Sequence, residues 1–345
     1  MSSETQRSEL NRRDVLSYAG VAAVAAPFAL SPEIAAAQSA APDEEMWTRE
    51  YWAHQGDTEL YLFRKRAGAP AAGEAPKPVL IFVHGSSMAG RSSFDVQVPD
   101  AGEYSIMNVF ARLGYDTWTM DFEGYGRSTK TGSNSDVAIG VQNLAAASDV
   151  LARETGASKF HFMGQSSGAL RAAAFAMHYP ERVNRLVLGA FTYTGVGAHT
   201  LIERARNVEV YRANNVRPRD LALISGIFTR DMPGTGDPRV AEALMAMEIP
   251  HGDTVPSGTY LDMTANLPVV DPTRVMAPTL LIRGVYDGIA TVEDLANFFA
   301  QLPNPDRQFI ILPGLAHSLH LGYNRAGFYH AMQEFLTLPP MEVVV

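Results

Sequence analysis

Short runs of uninterrupted apolar residues recur along the chain, at Val79–Val83, Asp116–Met120, Lys159–Met163, Arg185–Leu188, Thr279–Ile282 and Gln308–Leu312. Runs of this length between turn formers predict strands buried on both faces, as in a parallel sheet. Between them, Tyr104–Leu113, Val137–Thr155, Ser166–His178, Val292–Leu302 and Asn324–Leu336 carry helical spacing. Strand and helix in alternation predict an α/β chain built on a doubly wound, mostly parallel sheet. Upstream, a polar lead-in precedes Glu59–Arg64, which alternates like an early strand. The Gly/Pro/Ala stretch Ala67–Pro78 reads as a linker.

One stretch breaks the rhythm. Phe191–Asp271 has helical patches, many arginines and Pro/Gly breaks, but no convincing buried strand. A segment of that length between two sheet strands predicts an inserted helical cap. The core is then expected in two pieces, 38–190 and 272–345, with the cap at 191–271.

The N-terminus follows a different pattern. Asn11-Arg12-Arg13-Asp14 precedes an uncharged, Ala- and Val-rich stretch, and Ala35-Ala36-Ala37 supplies small residues for cleavage after Ala37. These are the parts of an export signal over 1–37. The paired arginines resemble the twin-arginine (Tat) signal of bacteria, which implies the Tat machinery as a partner of the precursor and a periplasmic or secreted product. No later stretch is long and apolar enough to span a bilayer, so the mature chain is expected to have no membrane span.

Composition narrows the chemistry. A net charge of −9 without any basic run argues against nucleic acid. Cysteine is absent, which excludes disulfides, thiolate metal sites and a cysteine nucleophile. The histidines at 54, 161, 178, 199 and 251 show no ligand spacing, so no metal and no cofactor are expected.

The sharpest motif is Gly164-Gln165-Ser166-Ser167-Gly168, set between an apolar run and a helix. A strand, G-x-S-x-G, helix sequence puts the serine on a tight turn where flanking side chains would collide. Ser166 is the candidate nucleophile. It needs a base, and the base needs an orienting acid. Asp287 lies in the turn after Thr279–Ile282, and His317 in the loop after the run ending at Leu312. They follow the expected order of serine, acid, histidine. His320 is a competing base, and His330 falls inside a helix. Asp294 suits a helix cap, while Asp262 and Asp271 precede the relevant strand. The candidate oxyanion donors are the backbone N–H groups of Ser86, after His84-Gly85, and of Ser167.

Taken in order, His84-Gly85, Asp121-x-x-Gly124-x-Gly126-x-Ser128, Gly164–Gly168, Asp287 and His317 resemble the α/β-hydrolase superfamily over roughly Pro78 to Leu336. The resemblance implies a cap after the sixth strand, with Ser166 as nucleophile, His317 as base and Asp287 as acid. Glu123 departs from residues common at its position and is expected to pair with Arg127. The expected activity is hydrolysis of a carboxylic ester of a small soluble substrate through an acyl-enzyme. Amide, lactone and C–C bond hydrolysis, perhydrolysis and acyl transfer remain open on the same triad, as does a non-catalytic binder. The cap arginines 204, 206, 212, 217, 219 and 230 are expected to face solvent.

Overall fold

The computed structural model describes residues 31–39 and 46–339. Its strands, in chain order, begin with β1 (Met46–Gln55), β2 (Thr58–Ala67), β3 (Val79–Val83), β4 (Asp116–Met120) and β5 (Phe160–Gln165). They continue as β6 (Val183–Gly189), β7 (Val216–Pro218), β8 (Thr254–Pro256), β9 (Thr279–Gly284) and β10 (Arg307–Leu312). One sheet runs β1-β2-β4-β3-β5-β6-β9-β10. β1 with β2, and β2 with β4, are antiparallel; the remaining neighbours are parallel. This is the doubly wound α/β-hydrolase architecture.

The apolar runs pack as strands buried on both faces must. Ile81, Val83 and Phe162 join a core with the helices Val137–Thr155 and Ser167–His178. Leu80, Phe82 and Met163, one residue out of step, join the opposite core with Ile106–Arg112 and Arg325–Thr337. Period-2 alternation therefore distributes a continuous apolar run between two layers of helices.

The sheet begins one strand earlier than the apolar pattern predicts. β1 is an edge strand that buries only Tyr51 and Ala53, so its sequence reads as polar. β2 is buried from Leu60 through Arg66 instead of alternating. It achieves this by pairing its charges: Arg64 donates to Asp116 at 2.9 Å and Lys65 to Asp95 at 2.6 Å.

Between β6 and β9 lie helices and a small antiparallel ribbon of β7 and β8. At three residues each, these strands are too short to show in the sequence pattern. Arg219, in this insertion, pairs with Glu248, and both are buried. Glu248 also accepts from the Ala89 N–H at 2.7 Å and from the Ser92 hydroxyl, which pins the insertion to the segment after β3.

Arg12, Arg13 and the apolar stretch up to residue 30 lie outside the described residues. The expected boundary after Ala37 falls within a helix, Pro32–Ser39, whose Ile34 and Ala37 are buried against the core. Arg112 donates to the Ala37 carbonyl at 2.9 Å. No helix among the described residues is long and apolar enough to cross a membrane.

Close packing of β5 against its neighbours rests on glycine. A Cβ on Gly168 would overlap the Val83 carbonyl, backbone that cannot swing aside. Gly168→Ala is expected to destabilise by about 3 kcal/mol or more, or to prevent folding. Urea denaturation of the purified variant, or its recovery in the soluble fraction, checks this.

Candidate active site

β5 ends in a sharp turn. Ser166 has φ 58° and ψ −126°, a left-handed conformation that a side-chain-bearing residue holds only under constraint from its surroundings. The constraint is visible: a Cβ on Gly164 would sit 2.5 Å from the Gly168 carbonyl oxygen. Chain direction reverses tightly enough to present the Ser166 hydroxyl at the C-terminal edge of the sheet.

His317 and Asp287 converge on that hydroxyl from the loops after β10 and β9. His317 Nε2 lies 3.0 Å from Ser166 Oγ, and its Nδ1 lies 2.9 Å from Asp287 Oδ1. Gln165 Nε2 donates to the His317 carbonyl at 2.7 Å, and Arg283 donates to the Asp287 carbonyl at 2.6 Å. Burial opposes ionisation of Asp287, yet the His317 imidazole and its hydrogen bond prevail and hold the carboxyl below its usual range. Asp287 Oδ2 is buried without a partner. All three residues of the expected triad are thus within hydrogen-bond reach of one another in series.

Ser86 and Ser167 also meet, their hydroxyls 2.7 Å apart, with Thr259 Oγ1 2.8 Å from Ser86 Oγ. Behind them His84 is fully buried. Its Nε2 accepts from the Phe122 N–H at 3.1 Å, so Nδ1 carries the proton and donates to the Gly85 carbonyl at 2.8 Å. Burial, with Arg171 nearby, takes its pKa down to about 3, which keeps it neutral. The Asp121 motif is a second brace. Its carboxylate accepts from the Gly90 N–H at 2.8 Å and the Arg127 N–H at 2.9 Å. Gly126, at φ 47°, leaves the space that carboxylate occupies.

Several expectations need correction. Glu123 does not pair with Arg127; it accepts from the hydroxyls of Thr131 and Ser133, while Arg127 reaches Glu50 at 2.6 Å. Of the insertion arginines, Arg206 and Arg212 are exposed, each beside a glutamate on its own helix. Arg217 and Arg219 are buried, because one braces the loop after β3 and the other pairs with Glu248. His320 lines the same cavity, but its Nε2 is committed to the Ser93 carbonyl at 3.0 Å and its ring packs on Phe94, while His317 holds the hydrogen bond to Ser166. His330 lies near Glu334 on its helix. Asp294 gathers the N–H groups of Tyr193, Thr194 and Gly195, anchoring the entry to the insertion. Asp262 accepts from the Val137 N–H, and Asp271 caps the turn Pro272–Arg274.

The residues that sequence reasoning missed come from the insertion. Tyr260 lines the cavity with Ser166 and His317. The guanidinium carbons of Arg217 and Arg204 lie 3.7 and 3.8 Å from its ring centroid. Burial alone would raise its pKa; Arg217 and Arg204 outweigh burial and bring it to about 7. Arg217 also donates to the Ser86 carbonyl at 2.6 Å. Neither Arg204 nor Arg217 has a carboxylate within ion-pair distance among the described residues. The cavity above Ser166 is only about 50 Å³, and a cleft of about 440 Å³ adjoins it across Arg204, Ile227, Arg230 and Tyr260. One cluster among the described residues, Asp231, Asp287 and His317, has donor atoms within 4.8 Å of one another. Two of its three members already serve the relay to Ser166.

Comparison with known proteins fits this geometry. Residues 102–322 match the family described as "Serine aminopeptidase, S33". A 2-hydroxy-6-oxononadienedioate/2-hydroxy-6-oxononatrienedioate hydrolase of Paraburkholderia phymatum is 36% identical over 137 residues, 39% of this chain and 41% of that relative. A protein of the same description from Burkholderia vietnamiensis is 37% identical over 114 residues, 32% of this chain and 34% of its own length. The chain thus matches roughly two fifths or less of these relatives' length. The crystal structure of bromoperoxidase from Bacillus anthracis superposes with a TM-score of 0.60 at 20% identity, over 84% of this chain and all of the other, a likeness of fold.

Three buried histidines set a pH dependence of stability. Burial lowers His84 to about 3 and His161 and His320 to about 4, from an ordinary value of 6.5. The unfolded chain therefore takes up protons first, and their contribution is full above about pH 6.5 and lost as pH falls towards 4. Asp121, raised by burial to about 7, and Asp262, also raised, act in the opposite direction but are fewer. Thermal unfolding is expected at progressively lower temperature from pH 6.5 to 4.5, each histidine contributing about 1.4 kcal/mol per pH unit. A melting temperature that is flat across this range would contradict the assignment of neutral buried imidazoles.

Proposed function

The chain belongs to the family described as serine aminopeptidase S33, within the α/β-hydrolase superfamily, and from that footing we propose that it cleaves an acyl bond in a small carboxylate-bearing substrate through an acyl-enzyme on Ser166. The observation that carries the reading is the unbroken series Ser166 Oγ, His317 and Asp287 at 3.0 and 2.9 Å, on a strained turn. His317 Nε2 takes the Ser166 proton as Oγ attacks the carbonyl carbon. The N–H groups of Ser86 and Ser167 hold the resulting oxyanion. His317 then returns the proton to the leaving group, and water repeats both steps to release the acid. In this reading segment 191–271 is a cap over the site.

The bond assigned first is a carboxylic ester, for which the triad supplies every proton transfer. The Paraburkholderia relative's name supports a second reading, hydrolysis of a C–C bond beside a ketone in a dienedioate. An anionic substrate suits both. Arg204 lines the cavity above Ser166 with no carboxylate in ion-pair distance among the described residues, so a substrate carboxylate entering there would meet an unpaired guanidinium. The 50 Å³ cavity is far below the roughly 300 Å³ of an ordinary ligand pocket, so substrate entry in this reading displaces the partition around Arg204 and Tyr260.

For the precursor, export by the Tat route to the periplasm is the matching proposal, supported by Arg12-Arg13 and the apolar stretch behind them. Replacing both arginines by lysine should retain the protein in the cytoplasmic fraction; unchanged periplasmic recovery would refute that route.

Ser166→Ala should abolish both ester turnover and fluorophosphonate labelling, and labelling that persists would sink the nucleophile assignment. Arg204→Met should raise KM for a p-nitrophenyl monoester of a dicarboxylic acid by about 10-fold or more, with little change for neutral p-nitrophenyl acetate. Turnover of a 2-hydroxy-6-oxo-dienedioate while all short esters stay inert would transfer the proposal to C–C cleavage.

A further inference from the structure

Asp231 belongs to the insertion, far in sequence from the relay, yet its side chain is wholly buried beside it. A carboxylate oxygen of Asp231, one of Asp287 and a ring nitrogen of His317 lie within 4.8 Å of one another. The approach is built. Gly288, immediately after Asp287, lets the Asp231 carboxylate approach closely, since a Cβ there would stand 2.7 Å from Asp231 Oδ1. The Thr200 N–H donates to the Gly288 carbonyl at 3.2 Å, and the Thr200 hydroxyl donates to Asp231 Oδ1 at 3.1 Å. The insertion is therefore fastened to the acid loop at the point where Asp231 enters. Asp287 has its Oδ1 committed to His317 and the Ile289 N–H, while its Oδ2 is buried and unpartnered.

We propose that Asp231 is a positioning residue: a second carboxylate, carried by the cap, that stabilises the protonated His317 alongside Asp287 and so ties the strength of the base to the seating of the cap. The proposal rests on the triad reading above. When His317 takes the Ser166 proton it becomes a cation with two carboxylates close by instead of one, and the added attraction acts in the transition state as well as in the intermediate. Other charged groups bear on the same point. Arg230 lies 3.4 Å from Asp231, His199 lies 3.5 Å from it, and Arg283 and His320 come from the core side. Arg230 partly offsets Asp231, but of that pair the carboxylate is the member in the cluster with the His317 ring. An Asp231 displaced with the cap would leave His317 with Asp287 alone.

The test is the pH profile of kcat/KM for a neutral ester, p-nitrophenyl acetate, measured on the full enzyme. In Asp231→Asn the acid limb should move to lower pH by about half a unit or more, with kcat lowered about 3- to 10-fold. Asp287→Asn should keep residual turnover that falls a further 10-fold or more when Asp231→Asn is added. Thr200→Val, which keeps the charge and removes only its hydroxyl donor, should shift the limb in the same direction by less, and serves if Asp231→Asn does not fold. An acid limb unmoved in the folded variants, or an Asp287→Asn background indifferent to Asp231, would overturn the proposal. Fluorophosphonate labelling of the wild type separates the two readings: if it labels Ser166 and the limb does not move, only Asp231's role fails; if it does not label, the triad reading fails first.

Discussion

The site depends on how closely the turn after β5 can approach the end of β3. Ser166 holds φ 58° because Gly164 and Gly168 let backbone segments touch where a Cβ would intervene, with Gly85 packed closely beside them. Once that contact exists, much else follows from it. The Ser166 hydroxyl clears the sheet edge, the hydroxyls of Ser86 and Ser167 are drawn to 2.7 Å, and the helix Ser167–His178 starts directly behind Ser166. The strain is offset by cores on both sheet faces that lock β3 and β5 in register from Leu80 opposite His161 to Val83 opposite Gly164.

The second determinant is charge. The chain is acidic overall, yet its insertion lines the cavity above Ser166 with Arg204 and Arg230 and sets Arg217 against the Tyr260 ring. In a cavity this narrow the nearby guanidiniums, not the net charge of the chain, set the local field. Tyr260 records that field in its own ionisation: burial should raise a phenol, and the flanking guanidiniums instead bring it to about 7.

The core of this arrangement was legible in the sequence because it follows local rules. Apolar runs marked the parallel strands to within a few residues, and the helix Val137–Thr155 matched its expected bounds. Ser166, Asp287 and His317 were found through motif and order, and the fold brings them within bonding distance. The failures have physical causes. β1 hid because an edge strand needs only two buried side chains, and β7 and β8 because three residues carry no period. Glu123 and Arg127 are four apart in a loop, where sequence proximity does not fix direction, and each found a nearer partner elsewhere. Tyr260 and Asp231 belong to no motif; their importance comes from long-range packing of a segment whose sequence carries no periodic signature.

That packing is uneven, and the unevenness has meaning. On one side the insertion is held by the buried Arg219–Glu248 pair, by Glu248 on the Ala89 N–H, and by Arg217 on the Ser86 carbonyl. Breaking a buried ion pair costs about 3–5 kcal/mol, so this side behaves as part of the core. On the other side, beyond the Asp294 anchor at Tyr193–Gly195, Arg204 meets the Tyr260 ring face and the Met263 sulfur among the described residues, and Thr200 holds the acid loop by a backbone hydrogen bond of 3.2 Å. A cation on a ring face is worth about 0.5–2 kcal/mol, less than the pair opposite. The weaker seam runs along the partition between the small cavity and the larger cleft, and it is also where Asp231 reaches the relay. One boundary thus runs beside both the cavity at Ser166 and the cluster of Asp231, Asp287 and His317.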